Sequence, residues 1–324
     1  QRVDPVRKTG KDFPLARDAR LSLPDAPGVY RMLGKNGEVL YLGKATSLKR
    51  RVNSHFTSHG NKELLTQAWH VDVAVTGSAL EAAVREADEI KEHAPPYNVA
   101  LRGKQAVWFA SRDWQSVCAR PDEDHACGPL PERDALAALV ALSAPPDCED
   151  APAWERALGM RVDAEQLQDG LALFREKHGA CSPHDLVRLG ARLWHAPEPE
   201  RSDDELPRAE RVAALMESSV RRSAHLRRRA RWLARLSEAT LEWRGRDAAR
   251  RLTVARGRVG EEPPDFARAS LARLASFDPA TYDRLRVLTT ELRRLVAERR
   301  DVTLRIGPRL RLDPARLARR LAWV

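Results

Sequence analysis

The sequence predicts an α+β protein. A small domain with a mixed three-stranded sheet flanked by helices should precede a mainly α-helical, basic C-terminal region with a few strands. Three observations predict this class. Short apolar, β-prone runs joined by a glycine-containing turn begin at residue 27. Apolar residues at helical spacing follow them. Beyond about residue 150, helical patterns dominate and arginine is frequent.

The elements of the small domain are predicted in the order β-β-α-α-β-α. PGVYRML and EVLYLG are the two strands of a hairpin closed by GKNG. SLKRRVNSHF and KELLTQAW are predicted helices, and HVDVAVTG alternates as a strand. SALEAAVREADEIKEHA is a longer helix, which Pro95 and Pro96 end.

The rest of the chain is predicted from weaker patterns. AVWFASRDW suggests a strand, and PERDALAALVAL and AEQLQDGLALFREKHG predict helices. A long helix is expected from Pro207 to about Leu236, and YDRLRVLTTELRRLVAERR is another amphipathic helix. Two strand pairs are expected, ATLEWR with RLTVARGRV and VTLRIG with RLRLD.

Composition shifts predict the domain boundaries. The chain begins with Gln1 and not Met, so we expect residues 1–26 to be a lead-in or a linker from an upstream domain. The small domain is expected at 27–104, and an appended strand–helix segment and linker at 105–150, where APPDCEDAPAWE is rich in Pro and acid. The Arg-rich helical region is expected at 151–324.

The charge balance is basic, with a net charge of +10 and a pI of about 9.8. A basic surface attracts nucleic acid. Only nine of the 56 Lys and Arg residues are Lys, however, and a GC-rich genome produces the same balance, so both explanations stay open. No apolar run approaches the ~20 residues of a membrane span, and no signal-peptide pattern is seen. We therefore expect a cytoplasmic, nucleoid-associated bacterial protein without a membrane partner.

The four cysteines predict free thiols rather than a cofactor site. Their spacings do not fit a C-x2-C zinc pattern, and a cytosolic protein keeps thiols reduced. The segment from Cys118 to Cys127, with His125 inside it, can hold a metal, but an iron–sulfur cluster or zinc is not expected.

The most informative block runs from Pro27 to Asn98. In order, it contains Gly28-Val29-Tyr30, Tyr41-Leu42-Gly43-Lys44, Arg51, Glu86 and Pro96-Tyr97-Asn98. These ordered pieces resemble the GIY-YIG endonucleases, and more narrowly the N-terminal nuclease domain of UvrC and its homologue Cho. The resemblance covers about a quarter of the chain and identifies 27–104 as a GIY-YIG nuclease domain, with Gly28 and Gly43 as structural motif residues.

The resemblance implies a catalytic set of Tyr30, Tyr41, Lys44, Arg51 and Glu86. Glu86 is the implied ligand of one Mg²⁺ or Mn²⁺ ion, whereas Glu81, Glu89 and Glu92 are expected to be solvated helix residues. One of the two tyrosines is implied to act as, or to position, a general base. A free phenol has a pKa near ~10, so this role needs a nearby cation, for which Lys44 is the candidate, or a relay.

Other polar residues are expected to bind nucleic acid. Arg51 is implied to grip a phosphate, with Lys49 and Arg50 as backbone contacts or solvated charge. His55 can contact phosphate or shuttle a proton, or can be a surface histidine, and Asn98 can form a positioning hydrogen bond or a turn. In the long helix, Arg221, Arg222 and Arg227 to Arg229 form a DNA grip or a solvated face, with Arg227 and Arg228 as the candidates.

The predicted function is metal-dependent nicking of damaged or branched DNA in repair or recombination, like the UvrC/Cho 3′ incision, in concert with damage-recognition proteins. A non-catalytic DNA-binding or scaffold protein, and a restriction or mobile-element nuclease, are the alternatives. The other modules of full-length UvrC are not recognisable here. Residues 221–324 instead resemble the tail of UvrC-like domains fused to a DEDD exonuclease, through FDPATYDRLRVLTTELRRL and RLTVARGRV.

Overall fold

The chain folds into two compact units, Gln1–Lys104 and Gln105–Val324, in the computed structural model. The structure describes residues 13–57, 61–99, 106–144, 149–179, 182–196, 208–244, 249–255, 258–260, 277, 279–298, 301–307 and 310–324. None of the helices in these ranges is long and apolar enough to cross a membrane.

The first unit contains a three-stranded sheet and four helices in its described residues. The elements are α1 Arg17–Leu21, β1 Gly28–Leu33, β2 Val39–Ala45, α2 Leu48–Thr57, α3 Lys62–Gln67, β3 His70–Val75 and α4 Ala79–His93. The strand order is β2-β1-β3, and both pairings are antiparallel. The predicted α+β fold is confirmed. The sheet is antiparallel rather than mixed, because β1 lies between β2 and β3, which run in the same direction but do not pair.

The two faces of this sheet are covered by different helices. Tyr30 and Met32 of β1 lie in one core cluster with Leu48 and Val52 of α2. Val29, the residue before Tyr30, lies in a second cluster with side chains of β2 and α4. This alternation follows from the two-residue period of a strand. It places every odd-numbered residue of β1 toward α4 and every even-numbered one toward α2.

Part of the predicted lead-in belongs to this unit. Leu15 is buried, and the Phe13 ring contacts the Phe56 ring edge-on at 5.3 Å between centroids. The Arg20 guanidinium lies 3.9 Å from the centroid of the Phe56 ring, and the Leu48 amide donates to the Ala26 carbonyl. Residues 13–26 therefore pack against α2, because α2 has apolar surface that the sheet alone does not cover. Residues 1–12 lie outside the described residues.

The second unit begins with a small three-stranded sheet, β5-β4-β6, and continues with helices around a long central one. Its described elements are β4 Trp108–Ala110, β5 Val117–Cys118, β6 Cys127–Leu130, α5 Ala137–Ser143, α6 Ala151–Leu158, α7 Ala164–His178, α8 Pro183–Leu193, α9 Arg208–Leu236, β7 Glu238–Arg244, β8 Ala249–Ala255, β9 Arg258–Gly260, α10 Pro279–Ala297, β10 Val302–Ile306, β11 Leu310–Leu312 and α11 Pro314–Leu321. The two predicted strand pairs join into one sheet, β11-β10-β7-β8-β9, because β10 pairs with β7.

The boundary expected near residue 150 does not separate two cores. Leu139 of α5 and Trp154 of α6 lie in the same buried cluster as Leu171 of α7 and Met216 of α9. Close helix contacts complete this core: a Cβ at Gly170 would lie 2.4 Å from Val212 Cγ1. The end of the Pro- and acid-rich stretch thus forms the start of α6, and Asp150 caps that helix by accepting from the Ala153 amide.

Candidate active site

The centre of the candidate site is the Tyr30 hydroxyl. Tyr30 has no exposed surface, and its hydroxyl lies 2.7 Å from His55 Nε2 of α2. The Tyr41 ring lies 6.1 Å from the Tyr30 ring and 5.6 Å from the His55 ring, measured between centroids. Register explains the grouping, since Tyr41 pairs with Met32 and so shares the face of the sheet that carries Tyr30. His55 is half-buried, so it is not the surface histidine that the sequence left open.

The two motif glycines leave room for this arrangement. Gly43 pairs with Tyr30, and a Cβ at Gly43 would lie 2.4 Å from the Tyr30 hydroxyl oxygen. At Gly28, a Cβ would lie 2.3 Å from the Ala74 carbonyl oxygen and 2.8 Å from Leu48 Cδ1. Gly43 therefore allows the Tyr30 ring to lie across β2, and Gly28 allows β1 to approach β3 and α2 closely.

Burial keeps the Tyr30–His55 pair neutral. Burial strongly raises the pKa of Tyr30, Tyr41 adds to the rise, and the nearby Arg51 partly opposes it. Burial and then Arg51 lower the pKa of His55. A neutral imidazole accepts at one nitrogen, so the arrangement favours a Tyr30 O–H that donates to His55 Nε2. The cation that acts on Tyr30 is Arg51, whereas the sequence suggested Lys44.

Lys44 and Glu86 form a second part of the site. The Lys44 amide donates to Glu86 Oε1 at 3.0 Å, which ties α4 to β2. Lys44 pairs with Val29, so it belongs to the α4 face of the sheet, opposite the face that Tyr30 occupies. Because β2 is an edge strand, both parts of the site border the same edge of the sheet.

Glu86 fits a hard divalent cation by its chemistry. Its carboxylate is half-buried, so water reaches it, and its backbone partner fixes its position on α4. Mg²⁺ and Mn²⁺ prefer oxygen ligands and keep several waters, so one fixed carboxylate at an accessible edge is a suitable donor set.

Asn98 is buried, and its side-chain amide bonds the backbone of β2. It is 7% exposed, its Oδ1 accepts from the Leu42 amide at 2.8 Å, and its Nδ2 donates to the Leu42 carbonyl at 2.9 Å. Leu42 lies on the edge strand β2, whose outward backbone groups have no neighbouring strand. Asn98 satisfies those groups, and both ends of its amide are occupied in doing so.

The other predicted contacts of the first unit lie at the surface of α2. Lys49, Arg50 and Arg51 are exposed. Arg50 forms an ion pair with Asp25 at 3.6 Å, in which both side chains are mostly exposed. These three side chains are accessible to a phosphate backbone. Arg51 is the one that also reaches Tyr30, which we group with Tyr41 and His55 as the Tyr30 group.

Arg227 and Arg228 of α9 do not form a solvated face. Both are half-buried, Arg227 lies 5.1 Å from the Trp114 ring centroid, and Arg228 lies 4.1 Å from the Trp323 ring centroid. Arg222 is the exposed member of the predicted arginine group, and it pairs with Glu132 at 2.8 Å. The helix therefore turns most of its central arginines against aromatic side chains of its own unit.

The segment after β5 brings three potential metal ligands together. One ligand atom each from Cys118, Asp122 and His125 lies within 4.8 Å of the others. His125 Nδ1 already contacts Asp122 Oδ1 at 2.8 Å, and its Nε2 contacts Ser116 Oγ at 2.9 Å. Both ring nitrogens thus have protein partners, which fits a hydrogen-bonded turn. Cys148 and Cys181 lie outside the described residues.

The sequence missed a buried ion-pair network on the α4 face. Glu89 is 7% exposed. Arg31 of β1 donates to its carboxylate from Nε at 2.8 Å and from Nη2 at 2.5 Å. Arg85 also donates to it. Arg31 also pairs with Asp72 at 2.7 Å. The expectation that Glu89 is solvated is therefore wrong. The i, i+4 spacing of Arg85 and Glu89 was the available signal.

Two other glutamates of α4 illustrate the range of roles. Glu81 completes a capping box, since its Oε2 accepts from the Gly77 amide and Ser78 Oγ accepts from the Glu81 amide. Glu92 is exposed, as predicted. Glu81 was expected to be solvated and is only partly exposed, because the cap holds it at the start of the helix.

Comparison with known proteins defines the class of the first unit. The family model for the UvrC-like GIY-YIG domain matches residues 26–99. The UvrABC system protein C of Psychrobacter sp. (strain PRwf-1) is 52% identical over 91 residues, which are 27% of this chain and 15% of that protein. The corresponding protein of Desulforudis audaxviator is 51% identical over 82 residues, which are 24% of this chain and 13% of that protein.

A solved structure of one domain also matches part of this chain. The GIY-YIG N-terminal endonuclease domain of UvrC from Thermotoga maritima, described as bound to its catalytic divalent cation, magnesium, is 34% identical, with a TM-score of 0.25. The match covers 26% of this chain and 94% of that one.

Residues 26–99 thus form a GIY-YIG domain. More narrowly, the domain is of the UvrC type. The chain spans about 15% of the length of the curated relatives it matches.

Proposed function

We propose that the first unit is a metal-dependent DNA endonuclease that hydrolyses one phosphodiester bond per site, in repair or recombination. The observation that carries the proposal is the Tyr30 group. A buried hydroxyl contacts His55 and has Tyr41 and Arg51 beside it, within a UvrC-like GIY-YIG domain. The substrate follows from the resemblance to UvrC, and damaged or branched DNA is the proposed form.

The Tyr30–His55 pair suits proton transfer without a phenolate. A water attacking phosphorus gives its proton to the Tyr30 oxygen as the Tyr30 proton moves to His55 Nε2. The water oxygen forms the new P–O bond as the bond from phosphorus to the leaving sugar oxygen breaks. That oxygen takes up a proton from solvent, the phenol stays neutral, and His55 holds the proton of the attacking water. This relay agrees with a Tyr30 pKa that burial raises and a His55 that burial keeps neutral beforehand.

The cationic residues of α2 are proposed to hold the scissile phosphate. Arg51 is exposed yet reaches the Tyr30 group, so its planar guanidinium can bind two phosphoryl oxygens next to the attacking water. Lys49 and Arg50 are exposed on the same helix and are proposed to contact neighbouring phosphates. Removing negative charge repulsion at this position lowers the barrier to attack.

Glu86 is the proposed ligand of the divalent cation, which stabilises charge on the phosphoryl and leaving oxygens when bound. The Lys44 amide holds the Glu86 carboxylate at the β2 edge, and Lys44 itself lies on the same face of the sheet. A single site of this kind per chain favours nicking over a double-strand cut. Damage-recognition repair proteins are the proposed partners that deliver the substrate.

The test is cleavage of supercoiled and branched DNA in Mg²⁺ or Mn²⁺ by wild type, Glu86→Gln and Glu92→Gln. Glu92 is an exposed glutamate on the same helix, so it is a matched control. We expect Glu86→Gln to lower the nicking rate by at least about 100-fold, the range for loss of one group that stabilises the transition state, and Glu92→Gln to leave it unchanged.

Thermal melting of each variant separates loss of chemistry from loss of fold. The proposal is contradicted if wild type nicks neither DNA with either metal, or if a folded Glu86→Gln variant cuts as fast as wild type.

A further inference from the structure

The second unit contains an arginine-rich pocket that the proposed nuclease site does not use. Its volume is about 280 Å³, and it is lined by residues of α8, α9, β10, β11 and α11 and by Trp323 and Val324. We call it the arginine pocket. Six arginines line it: Arg188, Arg227, Arg228, Arg231, Arg235 and Arg320. No Asp or Glu is among the described residues of its wall.

Among the described residues, acidic side chains do not neutralise the positive charges in this pocket. Within the described ranges, Arg228, Arg231, Arg235 and Arg320 have no ion pair with an acidic side chain, whereas Arg222, on an exposed part of the same α9, has one. Burial lowers the pKa of Arg228, and the charges of Arg320 and Arg231 lower it further. Burial and the same two neighbours also lower the pKa of Arg235. Concentrating like charges in this way costs free energy unless an anion offsets it.

One of these arginines has a buried donor with no partner. Arg227 Nε is buried and makes no hydrogen bond, while the guanidinium lies 5.1 Å from the Trp114 ring centroid. Burial is the first cause of the lowered pKa of Arg227. Buried donors in native proteins are nearly always satisfied, so Arg227 Nε is an unused donor on a side chain that lines the pocket.

Aromatic side chains form the other part of the wall. The Trp194 ring stacks on His225 at 4.0 Å with an interplanar angle of 2°, and the Arg228 guanidinium lies 4.1 Å from the Trp323 ring centroid. Trp232 Nε1 donates to Thr289 Oγ1, which fixes that ring. Planar rings and guanidinium groups give a wall on which a flat heteroaromatic base can stack.

We propose that the arginine pocket binds a phosphate group attached to a nucleoside, as a free nucleotide or as one residue of a nucleic-acid strand. Guanidinium forks match phosphate oxygens two at a time, and the pocket offers six arginines with no acidic side chain among its described lining residues. The volume lies near the lower end of the roughly 300–1,000 Å³ of small-molecule sites, which suits one nucleotide unit rather than a duplex. The mixture of rings with arginines distinguishes the pocket from a simple solvated basic face.

The inference is independent of the nuclease proposal, so its test uses the full chain with Glu86→Gln, in EDTA, where no cleavage is expected. The probes are inorganic phosphate, dAMP and a short 5′-phosphorylated single-stranded oligonucleotide. Binding is measured by calorimetry and by tryptophan fluorescence, since Trp194 and Trp323 line the pocket.

The test variant is Arg228→Gln with Arg320→Gln, and the control is Arg161→Gln with Arg222→Gln. The control removes the same charge from two exposed arginines that pair with Glu155 and Glu132. We expect saturable binding of dAMP or the oligonucleotide, weakened at least about tenfold by the pocket variant and less than about twofold by the control. A tenfold loss corresponds to about 1.4 kcal/mol, less than the usual worth of one hydrogen bond to a charged group.

The two sources of phosphate give different patterns. Binding of dAMP and of the oligonucleotide together indicates a nucleotide-sized site, whereas binding of the oligonucleotide alone indicates a strand. Thermal melting in phosphate gives a second readout, because a bound anion stabilises the wild-type fold and not the pocket variant. Absence of saturable binding for all three probes, or equal weakening by the control variant, overturns the proposal.

Discussion

The Tyr30 group and the arginine pocket differ in whether their ionisable side chains are neutral or paired, or are charged without an acidic partner. In the first unit, the buried Tyr30 and the half-buried His55 form a neutral pair, and the buried Glu89 pairs with Arg31. In the second unit, Arg228 and Arg320 line one pocket without an acidic side-chain partner in the described residues. A site built for proton transfer needs groups whose charge changes easily. A site built for holding an anion needs charge that stays fixed.

The two sites also depend on different features of the fold. The Tyr30 group depends on close backbone approach, since Gly43 leaves room for the Tyr30 ring across β2. The arginine pocket depends on long side chains that reach over aromatic rings, with Arg228 on Trp323 and Arg227 near Trp114. Small displacements matter in the first site, whereas the flexible arginines of the second can adjust to their ligand.

The largest expected effect is on the proton relay in the neutral site. Tyr30→Phe removes the hydroxyl that contacts His55, and His55→Gln removes the group that accepts the proton. We expect each to lower the nicking rate by about 10²–10⁴-fold, the usual contribution of a positioned acid or base. Single-turnover cleavage at saturating DNA measures this rate apart from binding. Rates within threefold of wild type for both folded variants would contradict the relay.

The pH dependence of nicking tests the role of His55 in the same relay. His55 must be neutral to accept a proton, and burial and Arg51 lower its pKa from the usual ~6.5. We therefore expect the rate to hold as pH falls to 6.5 and to decline only below it. The free energy of unfolding should change in the same direction. As pH falls, His55 takes up a proton in the unfolded chain at a higher pH than in the folded protein, so stability is lost from pH 6.5 toward the lowered pKa. The acidic decline should disappear from the residual activity of His55→Gln, and its persistence would assign it to another group.

What the sequence predicted well is local. The hairpin, the helix stripes and the ordered motif residues all lie within residues 27–98, and the fold class they predict is confirmed. Contacts between distant residues were not predictable in this way. Glu89 does point away from the apolar stripe of α4, as its helical position requires. Its direction leads to Arg31, 58 residues away, and not to solvent.

The arginine pocket was hidden for the same reason. Its wall is formed by residues from Val187 to Val324, which lie far apart in the sequence. α11 was missed although its start is marked, since Asp313 accepts from the Arg316 amide and Pro314 occupies the first helical position. Neither signal shows which arginines will meet across the unit, because that depends on tertiary packing.

A smaller effect is expected for stability, where the buried ion pair of the first unit should stabilise it more than an exposed ion pair stabilises the second unit. Glu89→Gln leaves Arg31 mostly buried without its bidentate partner, which we expect to cost about 3 kcal/mol of unfolding free energy. Glu242→Gln, in an exposed pair with Arg251 at 3.5 Å, should cost less than about 1 kcal/mol. Denaturant unfolding of the full chain measures both. Equal losses would show that the buried network is not a stronger constraint.

The smallest expected effect concerns the edge of β2. Asn98→Ala leaves the Leu42 amide and carbonyl without their side-chain partners, which should cost about 1–3 kcal/mol. Asn98→Asp keeps an acceptor for the Leu42 amide but places a carboxylate against the Leu42 carbonyl, so it should be at least as destabilising as Ala. Unfolding free energies measure this order. If Asn98→Ala instead lowers DNA affinity at unchanged stability, Asn98 contacts nucleic acid as the sequence first indicated, and its amide does not serve mainly to complete the strand edge that carries Tyr41 and Lys44.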